Sequence, residues 1–443
     1  MLHSSLKLLK VIQIQRNQHD DLNDMYSLHE NGLMVLLFKV LLAARKSDDG
    51  NEARKNCNLQ LAYQVENIPS TLLDTDLLFP LLMVESRSVQ QSAYVLLHKK
   101  LPSTQEQISI DYALSKQDEP PVSINPLLLS LVTDVPSEHN LDMVEDLHVM
   151  DAALRTYLLS WLLIFDHLQY ASFAVRSAYV EELKETQDAQ MLLNLIISSL
   201  GLSQSREKID LNSLDVAEYT PSQQSEDWTD YRHLVVHMYY LLLRHLSSQV
   251  RSWFLSCTNR ALTIALEDFT EKNISPILIA RELDELQSST NSTELKSENM
   301  MLKIMRTARE VTAFYTVDEQ TMEIRVHLPA AYPLRQVEVE GVRRIGVKED
   351  RWRAWILASQ SLMTSQNGSI ADALILFKKN ATLHFEGVVE CSICYSILSA
   401  QNRSLPTKKC KTCSNKFHAA CLYKWFKSSN SSTCPLCRQT FMF

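Results

Sequence analysis

The spacing of hydrophobic positions changes twice along this chain, and the changes divide it into three parts. From Leu6 to about Thr270 apolar residues recur at helical intervals between polar connectors, without strand-like alternation. Leu154, Leu158, Trp161, Leu162 and Phe165 fall at i, i+4, i+7, i+8 and i+11, a face wide enough to be buried between neighbouring helices. Further helices are expected over 33–46, 87–100, 176–200 and 230–255. Two connectors rich in Ser, Gln, Asp and Pro, from Pro102 to Val122 and from Ser203 to Trp228, read as mobile loops. Seven glycines in 443 residues suit stacked antiparallel helix pairs better than a doubly wound nucleotide-binding fold. Residues 1–272 are therefore expected to form an irregular HEAT/armadillo-like α-solenoid, although no fixed repeat period emerges.

After Asn273 the pattern shifts. Ser275 and Pro276 read as the N-cap and first residue of a helix that continues through Leu283 and Leu286. Val311, Ala313, Tyr315 and Val317 then alternate with polar or outward residues. Beyond a turn at Asp318-Glu319-Gln320, Met322, Ile324, Val326 and Leu328 do the same, which predicts a hairpin with one buried face. A third strand is expected at Val337 to Val339, past the Tyr332-Pro333-Leu334 turn, ending near Gly341. A last helix starts at Ser369, with Asp372 three residues on, and Gly387 offers its C-terminal cap. This α+β part is assigned to 273–386, and its short link to Cys391 implies stiff coupling to the cysteine-rich tail.

Charge and cysteine usage set the third part, 387–443, apart. Net charge is −8, yet residues 391–443 hold eight Lys/Arg and no Asp or Glu, so the remainder carries 36 − 52 = −16. No apolar run approaches the roughly 18 residues needed to span a bilayer, and Met1 to Gln15 makes a poor signal peptide, which points to the cytosol. Seven of nine cysteines lie after residue 390, where metal binding explains them better than disulfides. Cys57 and Cys257 stand apart and are expected to be small buried apolar residues. The tail reads Cys391-x2-Cys394-x15-Cys410-x2-Cys413-x4-His418-x2-Cys421-x12-Cys434-x2-Cys437. Eight Cys/His ligands make two closed tetrahedral sites, so two structural Zn2+ ions are expected, with no position left for a water nucleophile.

This ligand order is shared by RING variants and PHD fingers, and the residues between the ligands favour the first. Ile393 sits inside the first pair, Trp425 lies four residues after Cys421, Pro435-Leu436 fill the last pair and Arg438 follows it, whereas the PHD position two before the seventh ligand is Ser432 rather than an aromatic. The tail thus resembles the RING family. The resemblance implies cross-bracing, with Cys391, Cys394, His418 and Cys421 on one metal and Cys410, Cys413, Cys434 and Cys437 on the other. It also implies that Ile393, Trp425, Pro435 and Leu436 form a shallow groove for a ubiquitin-conjugating enzyme (E2), and that Arg438 is a linchpin touching that enzyme and its ubiquitin. Core roles for Trp425 and Leu436, and an ordinary surface role for Arg438, stay open. Phe417, Leu422 and Phe426 are assigned to the small core.

Residues 273–386 resemble an RWD domain through the helix, the meander and Tyr332-Pro333-Leu334, and the absence of cysteine between Cys257 and Cys391 excludes a ubiquitin thioester there. The order solenoid, RWD-like domain, RING, together with Lys416-Phe417-His418 and Leu422 to Phe426, resembles the C-terminal part of the listerin family of ribosome-associated ubiquitin ligases. That likeness implies an E2 charged with ubiquitin, the 60S ribosomal subunit with its stalled nascent polypeptide, and a nascent-chain-sensing quality-control factor as partners of a cytosolic, monomeric chain. Family members are much longer. Two competing readings are a RING ligase or scaffold for a non-ribosomal target and a zinc-dependent nucleic-acid-binding module. A nucleotide-driven enzyme is excluded, because Val347-Lys348-Glu349 follows Gly341 to Gly346 where a phosphate loop needs Gly-Lys-Ser/Thr.

Overall fold

The computed structural model describes the chain except for residues 1, 16–19, 44–51, 66–67, 115–121, 134–151, 203–214, 220–227, 288–294, 296–298, 318–319, 388, 398, 400, 402–403 and 442–443. The chain separates into two compact units, Met1–Gly201 with Glu207–Leu241 and Leu202–Arg206 with Leu242–Phe443.

The first unit is helical. Its helices are α1 (Leu2–Gln15), α2 (Asp20–Ala43), α3 (Glu52–Val65), α4 (Thr75–Leu78), α5 (Arg87–Leu114), α6 (Pro126–Thr133), α7 (Ala152–Tyr170), α8 (Phe173–Thr186), α9 (Asp188–Leu200) and most of α10 (Trp228–His245). The apolar face read from Leu154 to Phe165 lies on α7, where all five residues are buried and the opposite side, including Ser160, Asp166 and His167, is buried too. A helix buried on every side must satisfy its polar groups internally. Asp166 does so through His98 Nδ1 of α5 at 2.7 Å, and His167 Nδ1 lies 2.7 Å from the Leu163 carbonyl.

Several expectations are corrected here. The connector expected from Pro102 is helix as far as Leu114, because α5 carries Pro102 in its interior; residues 115–121 lie outside the described residues. The segment 176–200 is two helices broken at Gln187, which takes a left-handed backbone (φ 61°), and 230–255 is broken at Leu246. Most of the second connector, and the end of the helix expected at 33–46, lie outside the described residues. Cys57 and Cys257 are half-buried rather than core.

The second unit opens with α11 (Ser247–Ser256), α12 (Arg260–Asn273) and α13 (Ser275–Glu285). Ser275 is the first residue of α13 and not its cap; its hydroxyl donates to the Tyr332 carbonyl at 2.6 Å, tying the helix to the tyrosine-proline turn. An antiparallel meander comes next, β1 (Met300–Met305), β2 (Glu310–Val317), β3 (Gln320–His327) and β4 (Glu338–Arg343), in the order β1-β2-β3-β4. Val311, Ala313, Tyr315, Met322, Ile324 and Val326 are buried as the alternation requires, with Val311 opposite Val326 and Ala313 opposite Ile324.

Strand β1 and the helix after the meander have no counterpart among the expected elements of the α+β part. Strand β1 has no clean alternation, since Met301 is exposed and Leu302 and Ile304 are only half-buried. Helix α14 (Glu349–Ser365) does carry a pattern, with Trp352, Trp355, Ile356, Ser359, Leu362 and Met363 buried on one face. The last helix of this part, α15 (Ile370–Phe385), begins as expected with a reciprocal Ser369/Asp372 capping box, and Gly387 (φ 79°) follows its C-terminus and donates to the His384 carbonyl.

Candidate metal centres

The zinc-binding segment is built from three copies of one turn. In each Cys-x2-Cys pair the amide four residues after the first cysteine donates to that cysteine's carbonyl: Tyr395 to Cys391 at 2.8 Å, Ser414 to Cys410 at 2.9 Å and Arg438 to Cys434 at 3.0 Å. The amide of each first cysteine donates in turn to the residue five later, Ser396, Asn415 or Gln439, at 3.1, 2.9 and 2.8 Å. Closing so tight a loop drives Tyr395, Ser414 and Arg438 into the left-handed region, at φ 56°, 62° and 60°. The fourth pair comes from the start of α16 (Ala419–Ser429), which follows His418 and carries Cys421. A short ladder of β5 (Lys408–Lys409) with β6 (Lys416–Phe417) sets the central pair against His418.

These turns gather the eight donors into two sets, Cys391, Cys394, His418 and Cys421, and Cys410, Cys413, Cys434 and Cys437. Within each set the ligand atoms all lie within 4.8 Å of one another, close enough for one metal ion to reach all four. The donor chemistry fits zinc. His418 Nε2 is 3.0 Å from the Ile397 carbonyl, which can only accept, so the neutral ring carries its proton on Nε2 and turns its Nδ1 lone pair toward Cys394 Sγ at 3.3 Å. Cys391 is held well below the ordinary thiol range by hydrogen bonds from Cys394 and Cys421, while contacts with Cys391 and Cys394 push Cys421 up. Three crowded thiols cannot all be ionised unless a cation shares their charge, and Zn2+ supplies it.

Packed with Cys391, Cys410 and Cys434 is a core of Phe417, Leu422 and Phe441, with Ile393 and Phe426 against it. Phe441, near the end of the sequence, was missed because nothing in its spacing marks it. Of the residues matched to an E2 groove, Ile393 lies inside the first turn and is half-buried, whereas Trp425 and Leu436 are 36% and 49% exposed. Trp425 is not core: its indole N–H donates to the Thr433 carbonyl at 3.1 Å, which ties the outer face of α16 to the segment just before Cys434-Pro435-Leu436. Arg438 is exposed and stands at the left-handed corner of the third turn.

Residues 69–287 match the family described as LTN1 family HEAT repeat region, residues 300–384 match Ubiquitin conjugating domain-like, and residues 389–438 match Ring finger domain. The chain is similar to the E3 ubiquitin-protein ligase listerin of Schizosaccharomyces pombe, 40% identical across 99% of this chain and 28% of that protein. It is similar to the Neurospora crassa listerin at 37% identity, across 98% of this chain and 28% of the relative, and to the mouse listerin at 35% identity across 86% and 22%. It spans about a quarter of the length of these relatives. Among the described residues no helix is long and apolar enough to cross a membrane.

Proposed function

The chain belongs to the listerin family, and from that premise we propose that it acts as a RING-type E3 ubiquitin ligase, recruiting an E2 charged with ubiquitin and promoting transfer to substrate lysines. The observation that carries this reading is the pairing of two complete four-donor metal sets with the exposed side chains of Trp425, Leu436 and Arg438 beside them. Each set fills a tetrahedral shell, so the metals serve as scaffold and supply no nucleophile. In the reaction the substrate amine attacks the thioester carbonyl and the E2 thiolate leaves; the ligase contributes orientation. Trp425, Leu436, Pro435 and Ile393 offer apolar surface for the E2. The Arg438 guanidinium can donate several hydrogen bonds to carbonyls on E2 and ubiquitin at once, holding a flexible thioester ready for attack.

The test is E2-dependent discharge of ubiquitin with the full chain. Arg438 already occupies a left-handed backbone, so Arg438→Gly removes the guanidinium without straining the turn. Discharge is expected to fall by about 100-fold, the order of magnitude lost when reacting groups are misplaced, with zinc content unchanged. Ile393→Ala should slow it as well. Unchanged rates in both variants would remove Arg438 and Ile393 from the E2 surface.

We further propose that the substrates are incomplete nascent chains held on the 60S ribosomal subunit, with a nascent-chain-sensing factor as co-partner and the cytosol as the site of action. Besides the family, the charge pattern supports this. Lys409 lies directly opposite Lys416 in the β5–β6 ladder, both exposed, with Lys411 exposed just beyond. Like charges facing across strands cost stability, a cost that an anionic surface such as ribosomal RNA offsets. Co-sedimentation should show the chain pelleting with free large subunits and not small ones, less so as salt is raised. Failure to pellet with either would sink the ribosomal reading and leave the ligase chemistry standing.

A further inference from the structure

Asn380 lies on α15, outside the zinc-binding segment, and is only 1% exposed. Its Nδ2 donates to the Leu376 carbonyl one turn earlier at 2.9 Å, and its Oδ1 accepts from the Ile397 amide at 2.8 Å. These partners fix which way the side-chain amide points, since a carbonyl cannot donate and an N–H cannot accept. The carbonyl of the same residue, Ile397, accepts from His418 Nε2 at 3.0 Å, and Ile397 and His418 are both 0% exposed. Three buried hydrogen bonds therefore run in series from the backbone of α15 to the one imidazole among the eight metal donors.

The series acts by holding one backbone residue in place. The Ile397 N–H and C=O belong to adjacent peptide groups, so the Asn380 contact acts by geometry: it pins the Ile397 backbone and thereby aims its carbonyl at His418 Nε2. A carbonyl held at Nε2 fixes the tautomer and the ring orientation and makes Nδ1 a better metal donor. We propose that Asn380 is a positioning residue for the first metal set, holding His418 through the Ile397 backbone so that Nδ1 faces Cys394 and Cys421. Retention of that metal, and not of the other, then depends on the docking of the zinc-binding segment against α15. This rests on the two-zinc assignment and not on ligase activity.

The two sets differ in chemistry, three sulfurs and one nitrogen against four sulfurs, and Co2+ in the two sites absorbs at different visible wavelengths. The experiment loads the full chain with Co2+ and follows release from each site on adding a chelator, with Asn380→Leu and the milder Asn380→Ser. Release from the histidine-containing site is expected to be favoured by about 10-fold, the lower end of the effect of losing a ligating histidine's outer partner, because Asn380 acts one residue further out, with the all-sulfur site unchanged. Loosening of the whole segment would instead speed both sites together. Equal acceleration of both, acceleration of the all-sulfur site alone, or no change at either would each overturn the proposal. The readout is the selectivity between sites, so either variant that folds decides it.

Discussion

Glu282 on α13 accepts from the Tyr332 hydroxyl at 3.2 Å and from the Ile370 amide at 3.1 Å, so one carboxylate holds the tyrosine-proline turn and the first turn of α15. Burial pushes its pKa up to about 7, and Glu285 and Asp372 add to the rise against the hydrogen bond from Ile370. Below about pH 4.5 folded and unfolded chains are both protonated at this site and it contributes no pH dependence. Between about 4.5 and 7 the unfolded chain releases the proton while the folded chain keeps it, so stability from this group falls as pH rises, then levels off above 7. Glu282→Gln keeps an acceptor and has no proton to lose. Its melting temperature relative to wild type should therefore rise from about pH 5 to about pH 8; a constant difference would place the titration elsewhere. None of this was legible from sequence, where Glu282 is one acid among many on a helix. Gly341 was read as a strand end for a similar reason: it lies within β4, and a Cβ there would come within 2.4 Å of Trp352 Nε1, a close approach that only three-dimensional packing shows.

At the scale of elements, local signals read well and distant ones did not. The Ser369/Asp372 capping box and the three Cys-x2-Cys turns are each complete within a few residues, and they form as their sequences require. Helix α11 illustrates the opposite case. Its own N-cap position, Leu246, has no capping side chain, and Asn367 supplies the cap from more than a hundred residues away. Asn367 Oδ1 accepts from the Ser248 amide at 2.7 Å and the Ser247 hydroxyl at 3.0 Å, while its own backbone is left-handed at φ 54°. Asparagine is one of the few side chains that tolerates this conformation and caps a helix as well. Asn367→Gly keeps the backbone and loses the cap, at a cost of about 1 kcal/mol. Asn367→Ala loses the cap and adds left-handed strain of roughly another 1–2 kcal/mol. Hydrogen exchange in the first turn of α11 should quicken in both, more in the alanine variant. Equal protection in all three proteins would show that Asn367 does not cap α11. The break at Leu246 was invisible to periodicity for the same reason, because apolar spacing runs on through the junction.

For the molecule as a whole, the mainly helical part, the α+β part with its antiparallel sheet and the two Cys/His metal sets were legible because each leaves a different period or spacing in the chain. The anchoring of the zinc-binding segment was not legible. Arg351 of α14 donates to His384 Nδ1 at 2.6 Å and pairs with Glu390, next to the first ligand, and Asn380 receives the Ile397 amide. Such contacts between elements have no period. They bear on the response to metal removal. The core of the segment is a few side chains around Phe417, Leu422 and Phe441, too small to fold alone, and structural zinc contributes on the order of 10 kcal/mol in such cases. A chelator strong enough to strip both ions should therefore unfold residues 391–443 and abolish E2-dependent discharge. Among the described residues of that stretch the helix is α16, eleven residues long, so the helical signal in far-ultraviolet circular dichroism should barely fall. Exchange should rise steeply at Cys391, Cys410 and Cys434, and more modestly at the end of α15, where Arg351 and Asn380 lose their partners. If chelation instead melted α7, whose polar side chains Asp166 and His167 bond within the first unit, the two units would fold as one and the metal would support the whole chain.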